Sequence, residues 1–253
     1  MNKKYEMFKE KKYEMFKEKE YDVLYRIRAL RDFGDVKAGD IGGYVKNEFN
    51  LSHEGDCWVY GNAWVSDNAW VSDNAWVFDN AWVFDNAWVT GYARVFGNAK
   101  VFGNALVSGD ARVSGYAEVF DKAQVFGNAL VSGDARVSGY AEVFDKAQVF
   151  GNARVFGNAQ VSGDARVYGN AWVSDNARVF DNAWVSGDAQ VSGDAEVYGN
   201  TWNNVSADVY DNTSCTQLVN NAEYINIDGE YYKITKVSEH EAIRNTIQHF
   251  STQ

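Results

Sequence analysis

The sequence predicts an all-β solenoid, a parallel β-helix, and three observations carry that prediction. From Val59 to Tyr210 one six-residue phrase recurs almost without a break, first as Val59-Tyr-Gly-Asn-Ala-Trp64 and then as Val65-Ser-Asp-Asn-Ala-Trp70. A short fixed period dictates the architecture, because each repeat buries its apolar face only against its neighbours. Within each hexad, Ala and Val stand two apart and hardly change while the residue between them varies, which is the alternation of a half-buried strand. The 253 residues include no Pro. That suits an uninterrupted ladder, since Pro would remove a donor.

One hexad shows the physics. In Ala63-Trp64-Val65-Ser66, Ala63 and Val65 share one face and Trp64 and Ser66 the other. The near-constant pair faces inward and the variable pair outward. Asp67 and Asn68 follow, residue types that tolerate left-handed or bridge backbone, and they make the corner. Ala beside a corner leaves room where two walls converge, and Val fills the middle of a wall.

The spacing Val59/Ala63, Val65/Ala69, Val71/Ala75 resembles the left-handed parallel β-helix of the hexapeptide-repeat superfamily, which carries an aliphatic residue and a small one four later. The resemblance covers about two-thirds of the chain. It implies left-handed coils of triangular section, eighteen residues to a coil, and about ten coils. The residue after the aliphatic position is often aromatic here, as at Phe78, Phe84, Phe96 and Phe102. That phrasing is closer to uncharacterised bacterial and prophage-encoded hexapeptide-repeat proteins than to the family's acyltransferases.

Three regions are predicted: residues 1–38 as a charged arm and capping strand, 39–219 as the solenoid, and 220–253 as a cap of β-hairpin plus helix. Residues 3–10, Lys-Lys-Tyr-Glu-Met-Phe-Lys-Glu, are repeated letter for letter at 11–18. Their Lys/Glu mix suits a short helix or a charged arm. Tyr25, Ile27 and Ala29 alternate with Arg26, Arg28 and Leu30 as in a half-buried strand, and the Gly-rich run 34–43 makes turns into the first coil. Ile41, Val45, Phe49 and Leu51 keep the inward spacing, which a two-residue insertion around 52–56 interrupts. In the tail, Asp228-Gly229 turns a hairpin. Ser238 to Glu241 reads as a capping box, and Ile243, Ile247 and Phe250 follow at helical spacing.

Inside the solenoid, Phe102 to Ala129 is repeated letter for letter at Phe126 to Ala153, an offset of twenty-four residues. Four hexads are not a whole number of eighteen-residue coils, so the second copy turns by one wall. A rod tolerates that slip better than a single catalytic centre would.

The net charge is −11, and residues 39–219 hold ten Lys or Arg against twenty-two Asp or Glu. An acidic barrel argues against a nucleic-acid binder. No apolar run reaches membrane length and no apolar leader opens the chain, so a cytoplasmic protein without a membrane partner is expected. Cys57 and Cys215 occupy small inward positions near opposite ends, too far apart to bridge. No Cys/His cluster has metal-site spacing, and neither metal nor cofactor is expected.

Function has to lie on the outward columns. All nine Trp residues occupy the slot between Ala and Val: Trp58, Trp64, Trp70, Trp76, Trp82, Trp88, Trp172, Trp184 and Trp202. The first six make a two-coil belt on three walls. Stacked strand aromatics account for it, and so does an interface; a carbohydrate platform fits less well because the belt is not confined to one wall. Stacked corner Asp residues such as Asp67 and Asp85 read as structural rather than as a cation site. The resemblance implies an acyl-CoA-dependent acyltransferase with a His general base beside an extruded loop. The chain has only His53, His240 and His249, none within the regular coils, and His53 in the insertion is the sole candidate. The leading expectation is a non-enzymatic scaffold or binding protein that forms a homo-oligomer. Acyl transfer and small-ligand sequestration in a phage setting are the alternatives.

Overall fold

The structure, a computed structural model, describes residues 3–9, 24–200, 202–203, 209, 214–217, 224–227 and 230–233. Each hexad contributes a two-residue strand, from Trp58–Val59 at one end to Trp202–Asn203 at the other. Strands eighteen residues apart pair in parallel, so Val65 lies against Val83 and Val107 against Val125. The result is three sheets of 11, 9 and 11 strands, parallel throughout the coils, enclosing one core. About nine coils at the ordinary strand spacing of about 4.8 Å make a rod about 43 Å long.

The core is as the alternation requires. From Ala63 to Val197 the inward Ala and Val side chains are essentially inaccessible. The corners explain the other constant positions. Eight Asp residues, among them Asp79 and Asp121, hold φ between +53° and +61°, and Gly takes the same place elsewhere. Asp tolerates this left-handed backbone, and its carboxylate is used: Gly97 N–H donates to Asp79 Oδ2 at 3.2 Å, and Gly139 N–H to Asp121 Oδ2 at 3.2 Å. These corner carboxylates therefore bond the backbone of the coil above. Among the described residues no group of His, Cys, Asp or Glu is arranged to hold a metal ion. Asn columns exchange amide hydrogen bonds, as from Asn68 to Asn86 at 3.1 Å.

The insertion appears in the pairing. Val45 lies against Val65 and Leu51 against Val71, twenty residues on, whereas Val59 lies against Val77, eighteen on. Two inward assignments in this first coil are corrected. Ile41 and Phe49 are exposed, at 45% and 56%. Ile41 opens its strand opposite Arg28 in an antiparallel pairing, ahead of Tyr44 and Val45 where the strand joins the parallel coil, and Phe49 sits in a 3-10 turn, Glu48–Asn50. Neither has the hexad's strand geometry.

The N-terminus also departs from expectation. Residues 5–9 form strand β1 (Tyr5–Lys9) rather than a helix or a free arm. It pairs antiparallel with β2 (Tyr25–Ala29), which pairs antiparallel with β3 (Ile41–Val45), which joins the first parallel coil. Edge pairing overrides the helix preference of Lys and Glu. On β2, Ile27 and Ala29 are buried and Arg28 exposed, with Leu30 exposed just beyond the strand, as the alternation predicts, while Tyr25 and Arg26 are both half-buried. At the far end, Glu196–Val197 pairs with Ser214–Gln217, placing Cys215 against Val197, and the hairpin Tyr224–Ile227 and Glu230–Lys233 follows antiparallel. Antiparallel strands thus continue two of the sheets at opposite ends of the rod and occupy edges that would otherwise be open to pairing. The predicted C-terminal helix lies outside the described residues.

Candidate functional site

The Trp columns divide once side chains are placed. Trp58 is fully buried, not outward, because the N-terminal strands cover the last strand of its sheet. Tyr5 meets its ring edge-on at 6.2 Å and Phe33 at 5.3 Å. Trp64, Trp70, Trp76, Trp82, Trp88, Trp172 and Trp184 lie on the outside, half-buried or exposed. Trp64 and Trp82 stack in parallel at 5.1 Å, and Trp70 and Trp88 meet edge-on at 5.5 Å. Cations cover further rings: Arg94 on Trp76, Lys100 on Trp82, Arg154 on Trp172 and Arg166 on Trp184. Trp202 pairs with Trp184 along the backbone. The aromatic residues after Val also stack, with Phe84, Phe102 and Phe120 forming a column at 4.9 and 5.0 Å. Much of the outer aromatic surface is therefore a self-supporting ladder.

The exception is where the belt meets the insertion. Buried Asn50 donates from Nδ2 to Ala69 O at 2.7 Å and to Asp67 O at 3.1 Å, pinning the 3-10 turn against the next coil. That anchor throws Phe49 outward. An open hollow of about 440 Å³ results, lined by Glu48, Phe49, Leu51, Ser52, His53, Asn68, Trp70 and Trp88. It brings His53 together with two residues of the belt, Trp70 and Trp88, whereas Trp64 and Trp82 lie on another wall. The sequence assigns Phe49 to the interior and Asn68 to a corner, and it marks neither of them, nor Glu48, as a site residue. The insertion was the available signal, because an extra pair of residues in a regular coil has to leave the wall.

His53 is held from several sides. Its Nδ1 accepts the Lys4 backbone N–H at 3.2 Å, which leaves the ring proton on Nε2, 3.2 Å from Glu48 Oε1. The ring stacks on Tyr5 at 4.4 Å. A general base needs a free nitrogen lone pair, and a backbone amide occupies the one that this tautomer has. The Glu48 carboxyl is held below the usual carboxylate range, first by Lys3 at 2.7 Å and then by His53. It is an ion-paired acceptor rather than a proton donor.

Beneath the hollow lies a buried polar knot. The Tyr5 hydroxyl donates toward Glu48 O at 2.6 Å and Leu51 O at 2.9 Å, and burial raises its pKa. Lys4, wholly buried, reaches Cys57 O at 3.0 Å and Cys57 Sγ at 3.2 Å. Burial pushes the Lys4 amine down and the Cys57 thiol up, which favours their neutral forms. The knot fastens the N-terminal strands to the first coil. His240 and His249 lie outside the described residues.

The YdcK β-solenoid repeat matches residues 123–139, 147–161, 159–175 and 171–187. A protein of Escherichia coli strain K12 named as an uncharacterized acetyltransferase, YdcK, is 47% identical over 38 residues. That match covers 15% of this chain and 12% of the relative. By these repeats the chain is similar to the YdcK β-solenoid, in agreement with the resemblance to hexapeptide-repeat proteins drawn from its Val and Ala positions.

Proposed function

We propose that this chain is a non-enzymatic β-solenoid scaffold or binding module that self-associates through the exposed aromatic residues around the hollow. The observation that carries the reading is the state of His53. The best-placed candidate base has both ring nitrogens engaged, and the coils from Trp58 to Val197 run unbroken with strands at every hexad. Trp70, Trp88 and Phe49 are 39%, 49% and 56% exposed on one side of the rod. A contiguous aromatic surface of this kind is the usual core of a protein interface.

Sedimentation or light scattering at tens of micromolar tests the association. Replacing both rings, Trp70→Ala with Trp88→Ala, should lower the assembly state, since a buried interfacial Trp commonly contributes more than ~2 kcal/mol. A monomeric wild type refutes self-association. The name of the E. coli relative favours a second reading, acyl transfer. Incubation with acetyl-CoA and small amines or sugars decides between them. Turnover by the wild type that His53→Ala abolishes would overturn the scaffold reading. No turnover by either protein, together with a loosened N-terminus in His53→Ala, supports it.

A further inference from the structure

We propose that Lys4 and Cys57 form a covalent cross-link under hydrogen peroxide, a sulfenamide S–N bond that staples the N-terminal strand to the first coil. This goes beyond the scaffold reading and does not depend on it. The observation that carries it is a wholly buried amine held against a wholly buried thiol. Lys4 Nζ lies 3.2 Å from Cys57 Sγ and 3.0 Å from Cys57 O. The Glu54 and Gly55 carbonyl oxygens stand at 3.4 Å, and the Phe33 ring faces the amine at 4.9 Å. These contacts fix the amine on the sulfur of a residue fifty-three positions away. Burying a lysine is costly, and the side-chain atom that this one bonds is a thiol sulfur rather than a carboxylate oxygen. The new bond would close a covalent loop from residue 4 to residue 57 and lock β1 over the end of the rod.

The chemistry balances with peroxide as the oxidant. Burial lowers the proton affinity of the amine and raises that of the thiol, so the amine keeps a lone pair. As sulfur attacks one peroxide oxygen, the O–O bond breaks. Lys4 takes the thiol proton and returns it to the departing hydroxide, which leaves as water. Cys57 is then a sulfenic acid, a species that condenses with nitrogen nucleophiles. The Lys4 lone pair attacks sulfur, the S–N bond forms as the S–O bond breaks, and the hydroxyl leaves as a second water with one amine proton. Sulfur gives up two electrons in all, and one peroxide becomes two waters. Access is short. Cys57 Sγ is 3.5 Å from Ser52 O and 3.7 Å from Glu54 O, and Glu54, Gly55 and Asp56 of that turn are exposed. Peroxide, little larger than water, enters through small openings of an exposed turn that exclude a bulky thiol reagent.

The full chain carrying Cys215→Ala, which leaves Cys57 as its single thiol, tests this. After peroxide treatment of the folded protein and digestion, the peptide holding Lys4 should be linked to the one holding Cys57. The pair should be about 2 Da lighter than the sum of its parts, for the two hydrogens lost, and dithiothreitol should release both. Peroxide added in urea should leave the peptides unlinked, because only the fold holds the pair together. Lys4→Met should give no link and let Cys57 go on to the sulfinic acid, whereas Lys3→Arg should link like its parent. If Lys4→Met fails to fold, the comparison of folded with urea-treated chain stands by itself. The Leu30 amide, which donates to Lys4 O at 2.9 Å, should exchange at least about tenfold more slowly once the link has formed. Cys57 that stays reduced at a peroxide dose that oxidises it in urea overturns the proposal. So does Cys57 sulfinic acid in the folded chain without a linked pair, a link of equal yield in urea, a link that survives Lys4→Met, or Leu30 exchange that the link leaves unchanged.

Discussion

Val125→Asp is the most demanding test of the coil. Val125 is fully buried, with Val107 and Val143 directly against it on the neighbouring coils. Removing its apolar side chain forfeits about 2 kcal/mol of transfer free energy. A carboxyl in its place meets only Val and Ala, so it protonates, and burying the neutral acid without a partner costs about 3 kcal/mol more. The sum, about 5 kcal/mol, falls on one coil, because a solenoid couples only nearest neighbours. Gln124→Asp makes the same chemical change one residue earlier, on the outer face. There the new carboxylate stands beside Glu142, its in-register neighbour, at a cost of a few tenths of a kcal/mol. Hydrogen exchange read by mass spectrometry is the assay, since a single melting temperature would blur a local opening. In Val125→Asp the amides of Ser108 and Phe126, which bond Val125 O and Val143 O, should lose protection, and that of Ser66 should not. Equal loss in Val125→Asp and Gln124→Asp would refute the assignment of faces.

The remaining predictions concern corners, caps and charge. Gly115→Ala should cost about 1–3 kcal/mol, because φ is +68° and the added Cβ would lie 2.9 Å from Gly133 N and O; Gly61→Ala, 3.2 Å from its nearest neighbour, should cost less in the same chemical denaturation series. Trp58→Ala should cost about 3–5 kcal/mol in local stability and expose Cys57 to alkylation, whereas Trp82→Ala, at a position 42% exposed, should leave Cys57 protected. The Asp67 carboxyl is held below its ordinary range chiefly by Lys46 Nζ at 2.9 Å, so the pair's contribution is present above the unfolded pKa and is lost as pH falls through the depressed folded one. In Lys46→Met, the Asp67 titration followed by NMR should move back up toward the usual carboxylate range.

The limits of sequence reading show in particular residues. Val65, Ala69 and their successors could be assigned to the interior because a period-two alternation inside a period-six repeat leaves one inward pair per hexad. The same reasoning placed the insertion, which the pairing of Val45 with Val65 reproduces. It failed at Phe49 and Ile41, where it extended the period into segments that are not coil strands. It failed at Trp58, whose slot is outward like that of Trp64 but whose sheet ends there and lies under the N-terminal strands. Nothing local in Lys-Lys-Tyr-Glu-Met-Phe-Lys-Glu announces a strand, because its partner β2 lies sixteen or more residues away in sequence. The hollow shares this cause: it joins Glu48 and His53 to Trp70 and Trp88 across a coil whose local length is twenty residues, not eighteen. The sequence by itself determined the solenoid, its inner faces and its corners, because those depend on contacts repeated at one fixed spacing. Only the tertiary structure decided the ends and the hollow, because they depend on unique contacts between segments that no repeat relates.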